Sequence, residues 1–215
     1  MKTFLPLLFL SLLFVQSTAF SQSPTVQSII EEMSIDTIIF FARELTGDVE
    51  TIINGTPYTI QSRNKYQPGN DKAADYIQQK LEFYGLEVYN QSFSSSGRNV
   101  YGVQTGTEFP NQKYIICAHY DDMPSGSLAP GADDNGSGTV TVLEAARVLS
   151  QYSFPYTILY ALWDEEEQGL IGSEYFAQNA ASQGDSILGV INLDMIAWDS
   201  NDDAILELCI VRDPE

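Results

Sequence analysis

Three short stretches concentrate side chains that hold metals or move protons. They are His119-Tyr120-Asp121-Asp122, Asp164-Glu165-Glu166-Glu167, and Asp194. A fourth stretch, GADDNGSGTVTVLE (131 to 144), adds Asp133 and Asp134. The first three each follow an apolar run of strand length, KYIICA, YTILYALW and ILGVINL, so each sits at the C-terminal end of a predicted buried strand. In open α/β sheets, sites gather at the carboxyl ends of strands. Singly, each stretch has a plainer reading: a hydrogen-bonding histidine, a solvated acidic surface, a capping aspartate. Together, charged groups at the ends of buried strands repel one another unless cations neutralise them. One imidazole and several carboxylates are the ligands of zinc or of a similar transition metal.

The fourth stretch also fits a calcium-loop pattern, Asp133-x-Asn135-x-Ser137-Gly138 with Glu144 behind it. An EF-hand needs a helix leading into that loop. Here the incoming MPSGSLAPGA (123 to 132) contains Pro124, Gly126, Pro130 and Gly131, with a strand before it. No second such loop is visible, so calcium is set aside and Glu144 becomes an ordinary residue of the outgoing helix. Asn135-Gly136-Ser137 spells a glycosylation acceptor, but a sugar there would block the loop, and the match is taken as chance.

The elements that must position these residues alternate. Helical spacing of apolar residues predicts one helix over 26 to 47, and another over 71 to 86 with Asp71 at its start and Gly85 at its end. EVYNQSF and NVYGVQTG read as strands, 113 to 122 as a buried strand, and Ser137 to about Ser150 as a helix. Residues 156 to 163 and 187 to 195 are further buried strands, with a helix over 172 to 182 between them. Strands alternating with helices imply an α/β fold, a three-layer α/β/α sandwich with a mostly parallel mixed sheet covered on both faces.

The bulk properties narrow the function. A chain of 215 residues suits one domain. At 44% hydrophobic and 12% aromatic it reads as globular. A formal charge of −19 argues against nucleic acid and suits cations, whether metal ions or an ammonium group. The start has Lys2, an apolar run from Phe4 to Val15 and small residues at Ser17, Thr18 and Ala19, as a secretory signal peptide over 1 to 21 does. A membrane span would need about 20 apolar residues. The mature protein is therefore expected to be secreted or periplasmic, with no membrane segment after cleavage. The only two cysteines, Cys117 and Cys209, lie in apolar runs and are either a disulfide or two buried thiols.

The stretches AHYDD, PGADDNGSG, EEQGLIGS and NLDM, in that order and at suitable spacings, resemble the co-catalytic di-zinc aminopeptidases, with their glutamate carboxypeptidase and glutaminyl cyclase relatives. The resemblance extends weakly upstream through SRNKYQPGNDKAADYIQQKLEFYGLEV and covers roughly Val26 to Met195. It implies a phosphorylase/hydrolase-like fold and a zinc peptidase domain over 24 to 215. It implies two zinc ions, His119 and Asp194 on the first, Glu167 on the second, and Asp133 bridging both, with a cis peptide bond from Asp133 to Asp134. Glu166 is then the general base and Asp121 the carboxylate that orients the imidazole, while Glu165 is a bystander. The implied activity is removal of N-terminal residues from peptides that carry a free amino terminus.

The family pattern also calls for a second histidine downstream of Asp194, and the sequence contains one histidine in all. The ending CIVRDPE breaks off after a predicted strand. The sequence is therefore expected to be a C-terminally truncated fragment that lacks the last ligand of the second zinc and leaves an exposed sheet edge. Two alternatives stand beside the aminopeptidase: a glutaminyl cyclase, which works with one zinc, and a catalytically impaired metal-binding domain.

Overall fold

The computed structural model describes residues 23–200; the expected signal peptide, Cys209 and the ending CIVRDPE lie outside the described residues. The periodic stretch at 26 to 47 is two helices, α1 (Pro24–Glu31) and α2 (Ile35–Leu45). They part at Ser34, whose backbone is extended and whose hydroxyl accepts from the Thr37 N–H at 3.2 Å, an N-cap that starts a new helix. A hairpin that the periodicity did not reveal follows: β1 (Thr51–Ile53) and β2 (Thr56–Tyr58) pair antiparallel. Its turn residues Asn54 and Gly55 have φ of 51° and 77°, the conformation for which Asn-Gly is suited. α3 (Pro68–Phe83) starts at Pro68 rather than Asp71, because a proline presets the first helical turn.

The chain then forms β3 (Glu87–Ser92), β4 (Arg98–Gln104), β5 (Phe109–His119), α4 (Gly138–Leu149), β6 (Tyr156–Trp163), α5 (Ile171–Gln183) and β7 (Ser186–Asn192). One five-stranded sheet has the order β3-β4-β6-β5-β7. β5 runs parallel to β6 and β7, whereas β4 is antiparallel to both β6 and β3. The sheet is mixed but mostly parallel, as expected: β3, β5, β6 and β7 run one way and β4 runs against them, since the short link from β3 to β4 can join only antiparallel neighbours.

Alternation along β6 assigns the two faces. Tyr160 and Leu162 point into a core shared with Leu45 of α2, Tyr76 and Leu81 of α3, and Leu143 of α4. Leu159, Ala161 and Trp163 point the other way, against Phe176 and Ala180 of α5. Helices therefore cover both faces of the sheet. Burying a side chain such as Leu162 contributes about 1.5–3 kcal/mol, and the registers of the strands follow from these alternating faces.

β7, predicted to be buried, is instead largely exposed: Leu188, Val190 and Ile191 keep 45%, 57% and 58% of their surface. Among the described residues it pairs only with β5. No helix among the described residues is long and apolar enough to cross a membrane.

Register brings the acidic strand ends together. His119 is level with Trp163 of β6, and Cys117 is level with Asn192 of β7. Asp164 to Glu167 and Asp194 consequently emerge beside His119, at the C-terminal edge of the three parallel strands.

Candidate metal centre

His119 ends β5 with its ring buried, and each nitrogen has a distinct role. Nδ1 lies 3.2 Å from the Asp121 carbonyl oxygen and 3.4 Å from Asp121 Oδ1. In the tautomer in which Nδ1 donates to this group, Nε2 is left as a lone-pair donor for a metal. Nε2 faces Asp134 Oδ1 at 3.3 Å, Asp194 Oδ1 at 3.6 Å and Glu166 Oε2 at 3.9 Å. One atom from each of His119, Asp134 and Asp194 lies within 4.8 Å of the others. An imidazole nitrogen and two carboxylate oxygens converging from three segments are a donor set that fits zinc. Burial opposes charge on His119, but the hydrogen bond and charge of Asp121, with Glu166 and Asp194, outweigh it and push the imidazole up to about 9.

The residue brought into this group is Asp134, where the sequence reading placed Asp133. The turn Ala132–Ser137 leaves helical dihedrals at Asp134 (φ −97°, ψ 102°) and Asn135, and the cis peptide bond joins Asp134 to Asn135. The two neighbouring carboxylates make different contacts, Asp134 with His119 Nε2 and Asp133 with the backbone. Asp133 Oδ1 accepts from the Ala197 N–H at 2.9 Å. The buried Asn135 donates to the Leu193 carbonyl at 2.9 Å and accepts from the Gly138 N–H at 2.9 Å. Ser137 accepts from the Ile196 N–H at 3.0 Å. Asp133, Asn135 and Ser137 thus lace the metal turn to the segment that carries Asp194.

Asp121 does more than orient the imidazole. Fully buried, it accepts the Glu166 N–H on Oδ1 at 3.0 Å and the Glu167 N–H on Oδ2 at 3.2 Å. One carboxylate therefore fixes both His119 and the turn bearing the two glutamates. Asparagine offers a single acceptor oxygen and sets its NH₂ against one of those N–H groups. Asp121→Asn is expected to weaken zinc binding about 10–100-fold, read by competition with a chromophoric chelator. An unchanged affinity would show that the imidazole is held without this carboxylate.

Glu166 is partly open to solvent, as are Asp134 and Asp194. Burial, opposed by His119 and reinforced by Asp121, Asp194 and Asp134, raises the Glu166 carboxyl above the usual range. Burial and then Asp134 raise Glu167 likewise, which puts it within the field of Asp134 but outside the three-residue group.

The rest of DEEE is no solvated run. Glu165, expected to be a bystander, is buried with φ 57° and pairs with Lys65 Nζ at 2.7 Å. Asp164 accepts from Asn70 Nδ2 at 2.8 Å and from the Arg98 N–H at 3.1 Å, and its burial pushes it up to about 6. Glu144 is also fully buried, accepting from the Ser34 N–H and from Arg147, each at 2.7 Å. Burial pushes the Cys117 thiol up to about 11, as an inert thiol requires.

Comparison with known proteins adds three likenesses. The chain is 32% identical over 169 residues to a probable zinc metalloprotease of Pyrenophora teres f. teres, covering 69% of this chain and 35% of that protein. It shares the fold of the Legionella pneumophila LapA aminopeptidase, with a TM-score of 0.70 at 24% identity, over 83% of this chain and 48% of the other. It also shares the fold of the Bacteroides thetaiotaomicron glutaminyl cyclase, with a TM-score of 0.61 at 21% identity, over 76% and 62% respectively. The chain thus spans well under half the length of the curated relative. The model of peptidase family M28 matches residues 99–209, a span that holds His119, Asp134, Glu166, Glu167 and Asp194. On that match, the chain belongs to peptidase family M28.

Proposed function

We propose that this chain carries the metal-binding part of a secreted zinc-dependent exopeptidase, an aminopeptidase. The observation that carries the reading is the convergence of His119 Nε2, Asp134 and Asp194 with Glu166 at their rim. His119, Asp134 and Asp194 would hold the zinc, and Glu167, within the field of Asp134, would face a second ion. When bound, zinc supplies the Lewis acidity that polarises a carbonyl and acidifies water. Glu166, outside the ligand group and raised above the usual carboxyl range, takes the proton of the attacking water and returns it to the leaving amine. The acidic rim attracts the ammonium of a peptide's free amino terminus, in keeping with the formal charge of −19. Export rests on the leader-like first 21 residues.

The zinc-loaded chain is expected to hydrolyse aminoacyl-4-nitroanilides but not their N-acetyl counterparts. Chelation should stop the reaction and added zinc restore it. Equal hydrolysis of both substrates would overturn the aminopeptidase reading.

A second reading is favoured by one observation: the described residues gather a single three-ligand group, which suits one zinc. A glutaminyl cyclase would release ammonia from an N-terminal glutaminyl peptide without cleaving the chain. Zinc uptake with neither reaction would mark a metal-binding domain impaired in catalysis.

A further inference from the structure

Arg63 is a fully buried arginine in a polar stretch, SRNKYQ, outside the four acidic segments. Burying a guanidinium is costly unless its donors are satisfied and its charge is paired. Here Nε donates to the Tyr120 carbonyl at 2.7 Å, the residue that follows His119. Nη1 donates to the Pro130 carbonyl at 2.8 Å and to the Leu45 carbonyl at 3.1 Å, and Nη2 donates to the Gly131 carbonyl at 2.8 Å. Asp122 supplies the counter-charge at 3.5 Å from Nη1 and also accepts the Arg63 N–H at 2.8 Å. The Gly131 carbonyl, held by Arg63 from one side, accepts the Gly136 N–H at 2.9 Å from the other. That bond closes the turn that presents Asp134.

We propose that Arg63 is a positioning residue of the metal centre, tying the strand end that carries His119 to the turn that carries Asp134. This rests on the metal-binding reading above. Between Asp122 and Pro130 the chain is a Pro-, Gly- and Ser-rich connection with no helix and no strand beyond the isolated bridge of Ala129 to Ser62, beside Arg63, so the distance between the two ligands rests on ties to the Arg63 segment. The planar fork reaches carbonyls on both sides of that connection at once. A lysine ammonium is a single point with three donors and cannot span them. The approach is also close: a Cβ on Gly131, whose φ is 47°, would stand 2.6 Å from Arg63 Nη2. No sequence signal distinguishes Arg63 from a surface arginine; only its burial does.

The test compares the full chain with its Arg63→Lys variant. Zinc affinity is measured by chelator competition, cobalt(II) absorption spectra report ligand geometry, and thermal unfolding of the metal-free forms runs in parallel. The variant is expected to fold, to bind zinc about tenfold or more weakly, and to shift its cobalt bands. Wild-type zinc affinity and cobalt bands, even with a lowered Tm, overturn the positioning role. Should Arg63→Lys fail to fold, Asp122→Asn decides: weakened zinc binding supports the clasp, and unchanged binding overturns it. A wild type that takes up no zinc overturns the metal reading and the clasp with it, whereas equal zinc uptake by both proteins overturns the clasp alone.

Discussion

Replacing Glu166 by glutamine is expected to lower peptide hydrolysis by about 10²–10⁴-fold, the contribution of a positioned general base, while metal content stays at the wild-type level. Both halves of that outcome follow from the geometry. Glu166 Oε2 stands 3.9 Å from His119 Nε2, close enough to serve a water at the metal but outside the group formed by His119, Asp134 and Asp194. Its backbone N–H is held by Asp121, a contact that a glutamine side chain leaves intact. The carboxyl already sits above the usual range because burial and three neighbouring acids outweigh His119, so it is poised to accept a proton. A carboxamide of the same shape cannot. Turnover near wild type would remove Glu166 from the chemistry, and loss of metal together with turnover would make it a ligand instead.

The second large effect separates two adjacent residues. Asp134→Ala is expected to weaken zinc binding by more than the roughly 100-fold upper limit for an outer partner, whereas Asp133→Ala stays within that limit. Asp134 Oδ1 faces His119 Nε2 at 3.3 Å, while Asp133 spends its carboxylate on the Ala197 N–H. Asp133 still matters, because it steadies the segment bearing Asp194. Zinc affinities of the two variants, with circular dichroism to establish folding, give the comparison. A larger loss at Asp133 than at Asp134 would reverse the assignment.

That pair also shows where the sequence stops being informative. His119 and Asp194 were legible because each ends an apolar run of strand length, and strand ends in an α/β sheet face one edge. The register of β5 with β6 and β7 then brings them together. Asp133 and Asp134 lie in a turn with no period, where dihedrals at Asp134 and Asn135 decide which carboxylate faces His119 Nε2. Neither propensity nor pattern carries that information, so the sequence reading named Asp133 where the structure turns Asp134 toward His119.

The same limit hides the partners of Glu165, read as a bystander, and of Glu144, read as an ordinary helix residue. Glu165 and Glu144 look like surface residues in one dimension, yet each is buried against a cation, Lys65 and Arg147 respectively. Those partnerships are made by tertiary packing. β7 erred in the other direction. Its apolar run fits a buried strand, but burial depends on neighbours, and among the described residues it has only β5. The β1–β2 hairpin was legible in principle, since Asn54-Gly55 between two short strand-like runs is a strong local signal.

Zinc held jointly by His119, Asp134 and Asp194 is the proposal on which the other expected outcomes depend. Anomalous diffraction across the zinc edge, from crystals of the full chain saturated with zinc, tests it most directly. An anomalous peak is expected, bounded by His119 Nε2 and the carboxylates of Asp134 and Asp194, with Glu166 at its rim. No peak there at saturation, or a peak bound by Asp133 in place of Asp134, would contradict it.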